Sequence, residues 1–358
     1  MKTRKGEKGK KGKKGIIKLT TKKSKRKNKT LKHITCGEPL IEIVRNNTVE
    51  SIHSGHLIIL DSKGKSILSL GKSDFIMYPR SAIKAIQASG MVRNGLGSIF
   101  DDDSNDELLA LVCSSHIGSQ EHQNNVKRIL AKVGLNEAAL QNTPFLPMIT
   151  DEAFNSNMKI EPTSLAAPCS GKHAGMIATA KINNLDITTY KDPNHPVQIA
   201  CKKELEMLSG ELITNIAVDG CGAPLFGITL KGLSRAIHNL MISQDPVHQR
   251  VVNACKSFPI MVSGTGTLPT VSMQSVPGLF MKSGAEAVVV AGLPSGETIV
   301  WKMSDGIDRG EGHLLKASLN YIGLDMPNFN TSEDRDIIIR ATLTRASVSR
   351  AEAPRAPL

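Results

Sequence analysis

The spacing of apolar residues changes twice along the chain. From about Cys36, short apolar runs bounded by turn residues such as Lys63-Gly64 predict β-strands. From Ser81 the apolar residues recur at helical spacing, and this pattern predicts a mostly helical middle. The helical segments are SAIKAIQASGMV, NDELLALVCSSH, EHQNNVKRILAKVGL, KHAGMIATAKIN, HPVQIACKKELEMLSG and LFGITLKGLSRAIHNLM. Strand-like runs then return as AEAVVVAGL and TIVWKM.

This order predicts one sheet that is built from both chain ends, with a helical region inserted between them. The fold class is therefore α/β in the broad sense, with strands and helices segregated along the chain (α+β). The ordered body is expected to form one domain over residues 36–325. Beyond it the periodic pattern fades, so residues 326–358 are expected to be a loose C-terminal tail.

Composition supports an ordinary globular body. The chain has 358 residues, of which 40% are hydrophobic and only 3% aromatic, and so few aromatic faces disfavour a base-stacking nucleic-acid platform. No apolar run is long enough for a membrane span, and the lysine-rich start lacks the apolar stretch of a secretory signal. A cytoplasmic protein with free cysteines is therefore expected.

The formal net charge of +12 is concentrated at one end. Residues 1–32 hold sixteen basic residues and one acid, which gives +15, whereas the rest of the chain carries −3. Such a Lys/Gly-rich stretch cannot bury apolar surface, so residues 1–35 are expected to be disordered. Nuclear import or nucleic-acid contact by residues 1–32 is the functional alternative to a solvated tail, and the solvated tail is favoured.

One candidate nucleophile stands at the start of the first predicted helix. Ser81 and Lys84 are three residues apart, which places both side chains on one helix face. A serine hydroxyl needs a base to take its proton, and a lysine with a lowered pKa can serve. Ser-x-x-Lys is the nucleophile motif of penicillin-binding proteins and class A β-lactamases. Alone it is weak, because a surface helix with a capping serine explains it equally well.

Two further motifs follow in the order found in those enzymes. Lys282-Ser283-Gly284 directly precedes the strand AEAVVV, where the enzymes have Lys-Thr-Gly. Between the two lies Cys113-Ser114-Ser115-His116, in which a serine can take the part of the serine in Ser-Asp-Asn. Three weak motifs in this order favour a serine hydrolase more than any one does.

A second group of residues suggests a metal site. Cys169 stands in CSGKH, together with Lys172, and Cys221 stands in the Gly- and Pro-rich stretch DGCGAP. Two thiolates brought together can bind Zn²⁺, and a loop rich in glycine lets backbone approach a ligand. Two buried free cysteines are the alternative. The flanking Gly-Lys-His and Asp-Gly residues favour a site.

These segments together resemble the asparaginase II family, the rhizobial-type (class 3) L-asparaginases, from about Ile41 to Gly310. The segments that carry the resemblance are VESIHSGHLIILD, MYPRSAIKAIQ, SSHIGSQEH, CSGKHAGM, YKDPNHPVQ, DGCGAPLFG, FPIMVSGTGT, MKSGAEAVV and KMSDGIDR. The family's fold resembles that of serine β-lactamases and penicillin-binding proteins. The resemblance therefore implies a catalytic domain that hydrolyses L-asparagine, with L-glutamine as a weaker substrate, and that forms a homodimer.

The resemblance also assigns roles to particular residues. It implies that Ser81 is the nucleophile with Lys84 as its base, and that Ser115 and Lys282 form a second Ser–Lys pair. It implies three zinc ligands and three residues of the substrate pocket. The zinc ligands are Cys169, Lys172 and Cys221, and the pocket residues are Arg80, His116 and Asp219.

The sequence departs from the family pattern at several places. Leu165-Ala-Ala-Pro168 precedes Cys169, NTPFLP occupies 142–147, and Ser119-Gln120 follows SHIG. These departures affect the expected substrate preference more than the chemistry. The alternatives are another serine amidase or peptidase on the same scaffold, and a degenerate enzyme that binds nucleic acid through its tail.

Overall fold

The structure is a computed structural model that describes residues 37–101, 106–148, 161–326, 337–340 and 343. The chain divides into two compact units, Met1–His33 and Ile34–Leu358. The first unit lies outside the described residues, so the expectations for the basic tail remain predictions. Most of the expected C-terminal tail also lies outside them.

A seven-stranded antiparallel sheet forms the centre of the second unit, in the order β11-β1-β2-β10-β9-β8 with β3 paired to β2. The strands from the N-terminal side are β1 (Glu38–Arg45), β2 (Thr48–Leu60) and β3 (Ser66–Leu70). Those from the C-terminal side are β8 (Phe280–Gly284), β9 (Val288–Gly292), β10 (Thr298–Met303) and β11 (Ile337–Arg340). The predicted sheet from both chain ends is thus confirmed.

Strand β11 lies within the stretch that the sequence predicts to be a loose tail. Its backbone pairs with β1 from Glu42 opposite Arg340 to Arg45 opposite Ile337. The run Ile337-Ile338-Ile339 explains the pairing, because consecutive β-branched residues favour a strand. Residues 337–340 therefore belong to the sheet.

The region between β3 and β8 is mainly helical, as predicted. Its helices are α1 (Lys84–Arg93), α2 (Glu107–Val112), α3 (Gln120–Ala131), α4 (Ser170–Ile182), α5 (Pro196–Ser209), α6 (Leu230–Ile242), α7 (Pro246–Ser257), α8 (Pro259–Val262) and α9 (Leu268–Ser275). Helix α10 (Glu311–Tyr321) follows the sheet strand β10. Three 3-10 turns occupy Arg80–Ile83, Leu96–Phe100 and Glu137–Ala139.

Local sequence explains where several of these helices begin. The Asp245 side chain accepts a hydrogen bond from Val247 N at 2.9 Å, and Pro246 occupies the first turn of α7. The Thr229 hydroxyl accepts one from Gly232 N at 2.8 Å at the start of α6. An oxygen at the cap and a proline in the first turn satisfy or remove backbone donors that a helix start leaves unpaired.

The sheet is buried where the helices cover it. All five residues of β9 are buried, and Trp301 of β10 is fully buried. Helix α6 packs against β9 so closely that a Cβ at Gly292 would lie 2.6 Å from Met241 Cγ. The near-continuous apolar sequence of β9 follows from this burial.

Two small antiparallel sheets lie apart from the central one. They pair β4 (Ile76–Met77) with β7 (Ile228–Thr229), and β5 (Ile216–Val218) with β6 (Pro224–Phe226). The second pair is a hairpin whose turn holds Asp219 N against Ala223 O at 2.8 Å. Gly222 has a φ of +84°, which a side chain would disfavour, so a glycine there lets the turn close.

Within the described ranges, no helix combines the length and the apolar character that crossing a bilayer requires.

Candidate active site

A cavity of about 600 Å³ brings together residues that are far apart in the sequence. Its lining includes seven of the candidate residues and the other two residues of the Lys-Ser-Gly motif, Ser283 and Gly284. The seven candidates are Arg80, Ser81, Ser115, Cys169, Asp219, Cys221 and Lys282. Such a concave site, with few polar groups converging on it, is typical of a ligand pocket.

The position of Ser81 depends on the close approach of β8. Ser81 lies in the 3-10 turn Arg80–Ile83, directly before α1. A Cβ at Gly284 would lie 2.6 Å from Pro79 O and 3.1 Å from Ser81 N. Glycine is therefore required at the end of the Lys-Ser-Gly motif, because it lets the strand pass beside the serine backbone. Arg80 has a φ of +52°, a left-handed conformation that non-glycine residues seldom adopt outside functional sites.

Two buried lysines converge on Ser115 rather than on Ser81. Lys84 Nζ donates to Ser115 Oγ at 3.0 Å, and Lys282 Nζ donates to the same oxygen at 2.9 Å. Lys84 Nζ also donates to the backbone oxygen of Ser114, and Lys282 Nζ to Ser283 O at 2.8 Å. The structure thus brings Ser115 and Lys282 together, as the resemblance implies, and adds Lys84 to them. No hydrogen bond between the Ser81 and Lys84 side chains occurs among the described residues, so the pairing of Ser81 with Lys84 stays a prediction.

The environment of Lys282 favours its neutral form. Its side chain is 1% exposed. Burial lowers the pKa of Lys282 well below its ordinary value, and the nearby positive charge of Lys84 lowers it further. A neutral amine can accept a proton, so Lys282 can act as a base in this cluster.

The three expected zinc ligands lie together beside this cluster. Lys84 Nζ lies 3.3 Å from Cys169 Sγ, and Lys172 Nζ lies 3.7 Å from Cys221 Sγ. The hydrogen bond from the Cys221 thiol lowers the pKa of Cys169 well below its ordinary value, and the charges of Lys84 and Lys172 act in the same direction against burial. The same bond raises the pKa of Cys221. Cys169 is therefore the more acidic of the two thiols.

These donors suit a soft divalent metal such as Zn²⁺, which prefers sulfur and nitrogen ligands. Among the described residues, no cluster of three or more His, Cys, Asp and Glu side chains suitable for a metal occurs. Any metal at the two cysteines would therefore take the Lys172 amine as its third protein ligand. A coordinating amine must be neutral, so binding would release a proton from Lys172.

Arg80 and Asp219 form an ion pair on the pocket wall. Arg80 Nη2 lies 2.8 Å from Asp219 Oδ1, and Arg80 Nε donates to the same oxygen at 3.0 Å. Asp219 Oδ1 also accepts from Gly220 N at 2.8 Å, and Thr143 Oγ1 donates to Gly220 O at 2.7 Å. The turn that carries Cys221 is thus fixed from two sides.

His116 lies beneath the pocket and does not line it. Its ring is fully buried, Nδ1 accepts from Gly118 N at 3.0 Å, and Nε2 lies 2.8 Å from Ser170 Oγ. Burial lowers the pKa of His116 well below its ordinary value, with His122 and Lys84 contributing. A neutral ring that donates through Nε2 ties the 115–118 segment to the start of α4.

Several other pocket residues have no role assigned by the sequence motifs, although Thr267 and Asp308 lie in segments that carry the family resemblance. They come from three segments: Thr143, Phe145 and Met148; Thr267, Leu268 and Pro269; and Asp308 and Glu311. Burial and then the neighbouring Asp308 carboxylate raise the pKa of Glu311 to about 8. A glutamate at a helix start gives no sign in the sequence of such burial.

The model of the L-asparaginase II family matches residues 41–347. Among solved structures, Mglu in its native form is similar with 13% identity and a TM-score of 0.42, over 77% of this chain and 63% of that one. The chain thus spans less than two thirds of that Mglu structure. No curated protein sequence matches.

Two more structures are similar. A β-lactamase from Mycobacterium bovis has 9% identity and a TM-score of 0.37, over 71% of this chain and 88% of its own. A Bacillus glutaminase has 13% identity and a TM-score of 0.36, over 76% and 91%. At such TM-scores these likenesses carry no argument. The match over residues 41–347 does, and it shows that the chain belongs to the L-asparaginase II family of amidohydrolases.

Proposed function

We propose that the protein is an L-asparagine amidohydrolase that forms an acyl-enzyme on Ser81. The observation that supports the proposal is that Ser81, Ser115 and Lys282 line one cavity, and that the buried amines of Lys84 and Lys282 both bond Ser115 Oγ. A hydroxyl at the end of a helix and buried amines nearby are the parts that nucleophilic catalysis by serine needs.

In the first step, neutral Lys282 takes a proton from Lys84 through Ser115 Oγ, which both amines contact. Lys84, now neutral, accepts the proton of Ser81 as Ser81 Oγ attacks the side-chain amide carbon. Lys84 follows Ser81 by one helical turn, and catalytic hydrogen bonds are often completed only when substrate binds. The tetrahedral oxyanion needs backbone N–H donors, and Ser81 N beside the close-packed β8 is a suitable one.

In the second step, the C–N bond breaks and ammonia leaves with a proton relayed through Ser115. Both lysines touch Ser115 Oγ, so this hydroxyl can pass a proton from either amine to the departing nitrogen. Water then attacks the aspartyl ester, a lysine takes its proton, and Ser81 is restored as L-aspartate leaves.

We propose that Cys169, Lys172 and Cys221 hold a zinc ion. A bound zinc ion supplies a positive charge that helps to orient the polar end of the substrate. Arg80 and Asp219 are proposed to bind the α-carboxylate and the α-ammonium group, because they present opposite charges on the wall of the same cavity.

Ammonia release from L-asparagine and L-glutamine, with and without added Zn²⁺, tests this proposal. We expect release from L-asparagine to exceed that from L-glutamine, and Ser81→Ala to abolish both. Acylation by a β-lactam without ammonia release would favour a penicillin-type hydrolase instead. Ammonia release that persists in Ser81→Ala would overturn the assignment of the nucleophile.

A further inference from the structure

Two backbone segments flank the turn that carries Ser115. On one side, Met148 N donates to Ile117 O at 2.8 Å. On the other, Ser115 N donates to Val262 O at 2.9 Å, and the chain continues from there into α9, which begins at Leu268. Both segments reach the cavity, so Ser115 lies between two walls.

These walls are apolar. Phe145, Met148, Leu268 and Pro269 line the cavity. Phe145 is 52% exposed and Met148 is 57% exposed, although both are large and hydrophobic. Exposed apolar side chains gathered beside a catalytic cavity mark a surface that binds an apolar ligand. Free L-asparagine has no apolar group to fill it, and a cavity of about 600 Å³ is large for such a small amino acid.

The place of Ser115 in the reaction decides which part of a substrate meets these walls. In the proposed function, on which this inference rests, Ser115 passes the proton to the leaving nitrogen. A substituent on that nitrogen would therefore extend between the walls. We infer that the enzyme also hydrolyses side-chain amides of L-aspartate whose nitrogen carries an apolar group, such as an aromatic ring.

The chemistry balances without any further reactant. Ser81 Oγ attacks the amide carbon, the C–N bond breaks, and the amine leaves with the proton delivered through Ser115. Water then cleaves the ester, so one amide and one water give L-aspartate and a free amine. No electron transfer is involved.

The probe is L-aspartic acid β-(4-nitroanilide), whose cleavage releases coloured 4-nitroaniline. We expect the full-length enzyme to release it, and Ser81→Ala to release none. Met148→Ala and Phe145→Ala should each lower the ratio of kcat/KM for the anilide to kcat/KM for L-asparagine by about fivefold to twentyfold, since one apolar contact contributes about that much discrimination.

Met207→Ala is the matched control, because Met207 is also 57% exposed but does not line the cavity. It should leave the ratio unchanged. Both Phe145 and Met148 are more than half exposed, so their variants should fold. Thermal melting of each variant checks this.

The outcomes separate the two proposals. Ammonia release from L-asparagine without release of nitroaniline would overturn this inference and leave the asparaginase proposal standing. Nitroaniline release without ammonia release would support binding of an apolar group between these walls and overturn the asparaginase proposal. A ratio that does not fall in either variant, or nitroaniline release that persists in Ser81→Ala, would also contradict the inference.

Discussion

The two candidate catalytic serines, Ser81 and Ser115, differ in how their surroundings are built. Ser81 stands at a helix start, where a local Ser-x-x-Lys spacing and the close approach of Gly284 fix its place. Ser115 lies in a turn after α2, and the two lysines that bond it come from α1 and β8. The place of Ser81 depends partly on its sequence neighbours, whereas both lysine contacts of Ser115 join segments that are distant in the sequence.

This comparison shows that the spacing of residues in a motif does not by itself determine which side chains form hydrogen bonds. Lys84 shares a helix face with Ser81, yet its amine bonds Ser115 Oγ at 3.0 Å. We assign attack to Ser81, whose hydroxyl bonds no described side chain, and proton relay to Ser115, whose hydroxyl contacts both amines.

Replacing the two serines one at a time should separate their roles most strongly. Ser81→Ala should lower kcat by at least about 10⁴-fold, since no covalent intermediate can form. Ser115→Ala should lower kcat by about 10²- to 10³-fold, which is typical for the loss of a proton-transfer group. Steady-state ammonia release measures both, and equal losses would contradict the division.

Removing the relay amine should have the next largest effect. Lys282→Met should lower kcat by about 10²- to 10⁴-fold. Since burial and Lys84 lower the pKa of Lys282, wild-type activity should persist at neutral pH and fall on acidification, as the lysine pair gains a proton.

Lys302→Met is the control for that variant, because Lys302 is also a buried lysine of the sheet, 8% exposed, and it lies off the cavity. It should lower stability rather than turnover per folded molecule. A loss of kcat in Lys302→Met as large as in Lys282→Met would contradict a specific role of Lys282 in proton transfer.

Loss of the proposed zinc should affect binding more than turnover. Chelation, or Cys169→Ser, should raise KM for L-asparagine by about tenfold to a hundredfold and change kcat less. Cys201→Ser is the control, since Cys201 is fully buried outside the pocket. Elemental analysis should find zinc in the wild type and the control only. A normal KM with abolished kcat would contradict the orienting role.

The smallest effect is expected at Glu311, on the pocket wall. Its folded pKa is raised from 4.5 to about 8, so its neutral form stabilises the fold at low pH, and that stabilisation is lost as pH rises toward 8. Glu311→Gln should therefore gain stability relative to wild type between these pH values, by at most about 5 kcal/mol. Urea unfolding at several pH values measures this. A pH-independent difference would show that Glu311 is not protonated in the folded protein.

Much of the architecture follows from sequence pattern, because strands and helices have distinct apolar spacing. The runs at both chain ends predict the central sheet, whereas Lys282-Ser283-Gly284, expected to precede a strand, itself ends β8. Strand β11 is the departure, since the surrounding stretch has no periodic pattern although three of its four residues are isoleucines, which favour strands.

The pocket is less predictable, because long-range pairing assembles it. The Ser-x-x-Lys motif predicts Ser81, one helical turn away, as the partner of Lys84. In the structure the Lys84 amine instead bonds Ser115, which lies in the turn after α2. His116 follows Ser115 directly but points beneath the pocket, into a hydrogen bond with Ser170. Phe145 and Met148 reach the pocket only through backbone pairing with distant segments. Zinc binding, the homodimer, the cytoplasmic location and contacts of the basic tail remain predictions.

Rapid quenching of the enzyme during turnover of L-asparagine, followed by peptide mapping by mass spectrometry, tests whether Ser81 is the nucleophile. We expect an aspartyl ester on the peptide that contains Ser81 and none on the peptide that contains Ser115. The Ser115→Ala variant should accumulate more of this ester if the proton of the attacking water also passes through the Ser115 hydroxyl. An aspartyl ester on Ser115 would contradict the account.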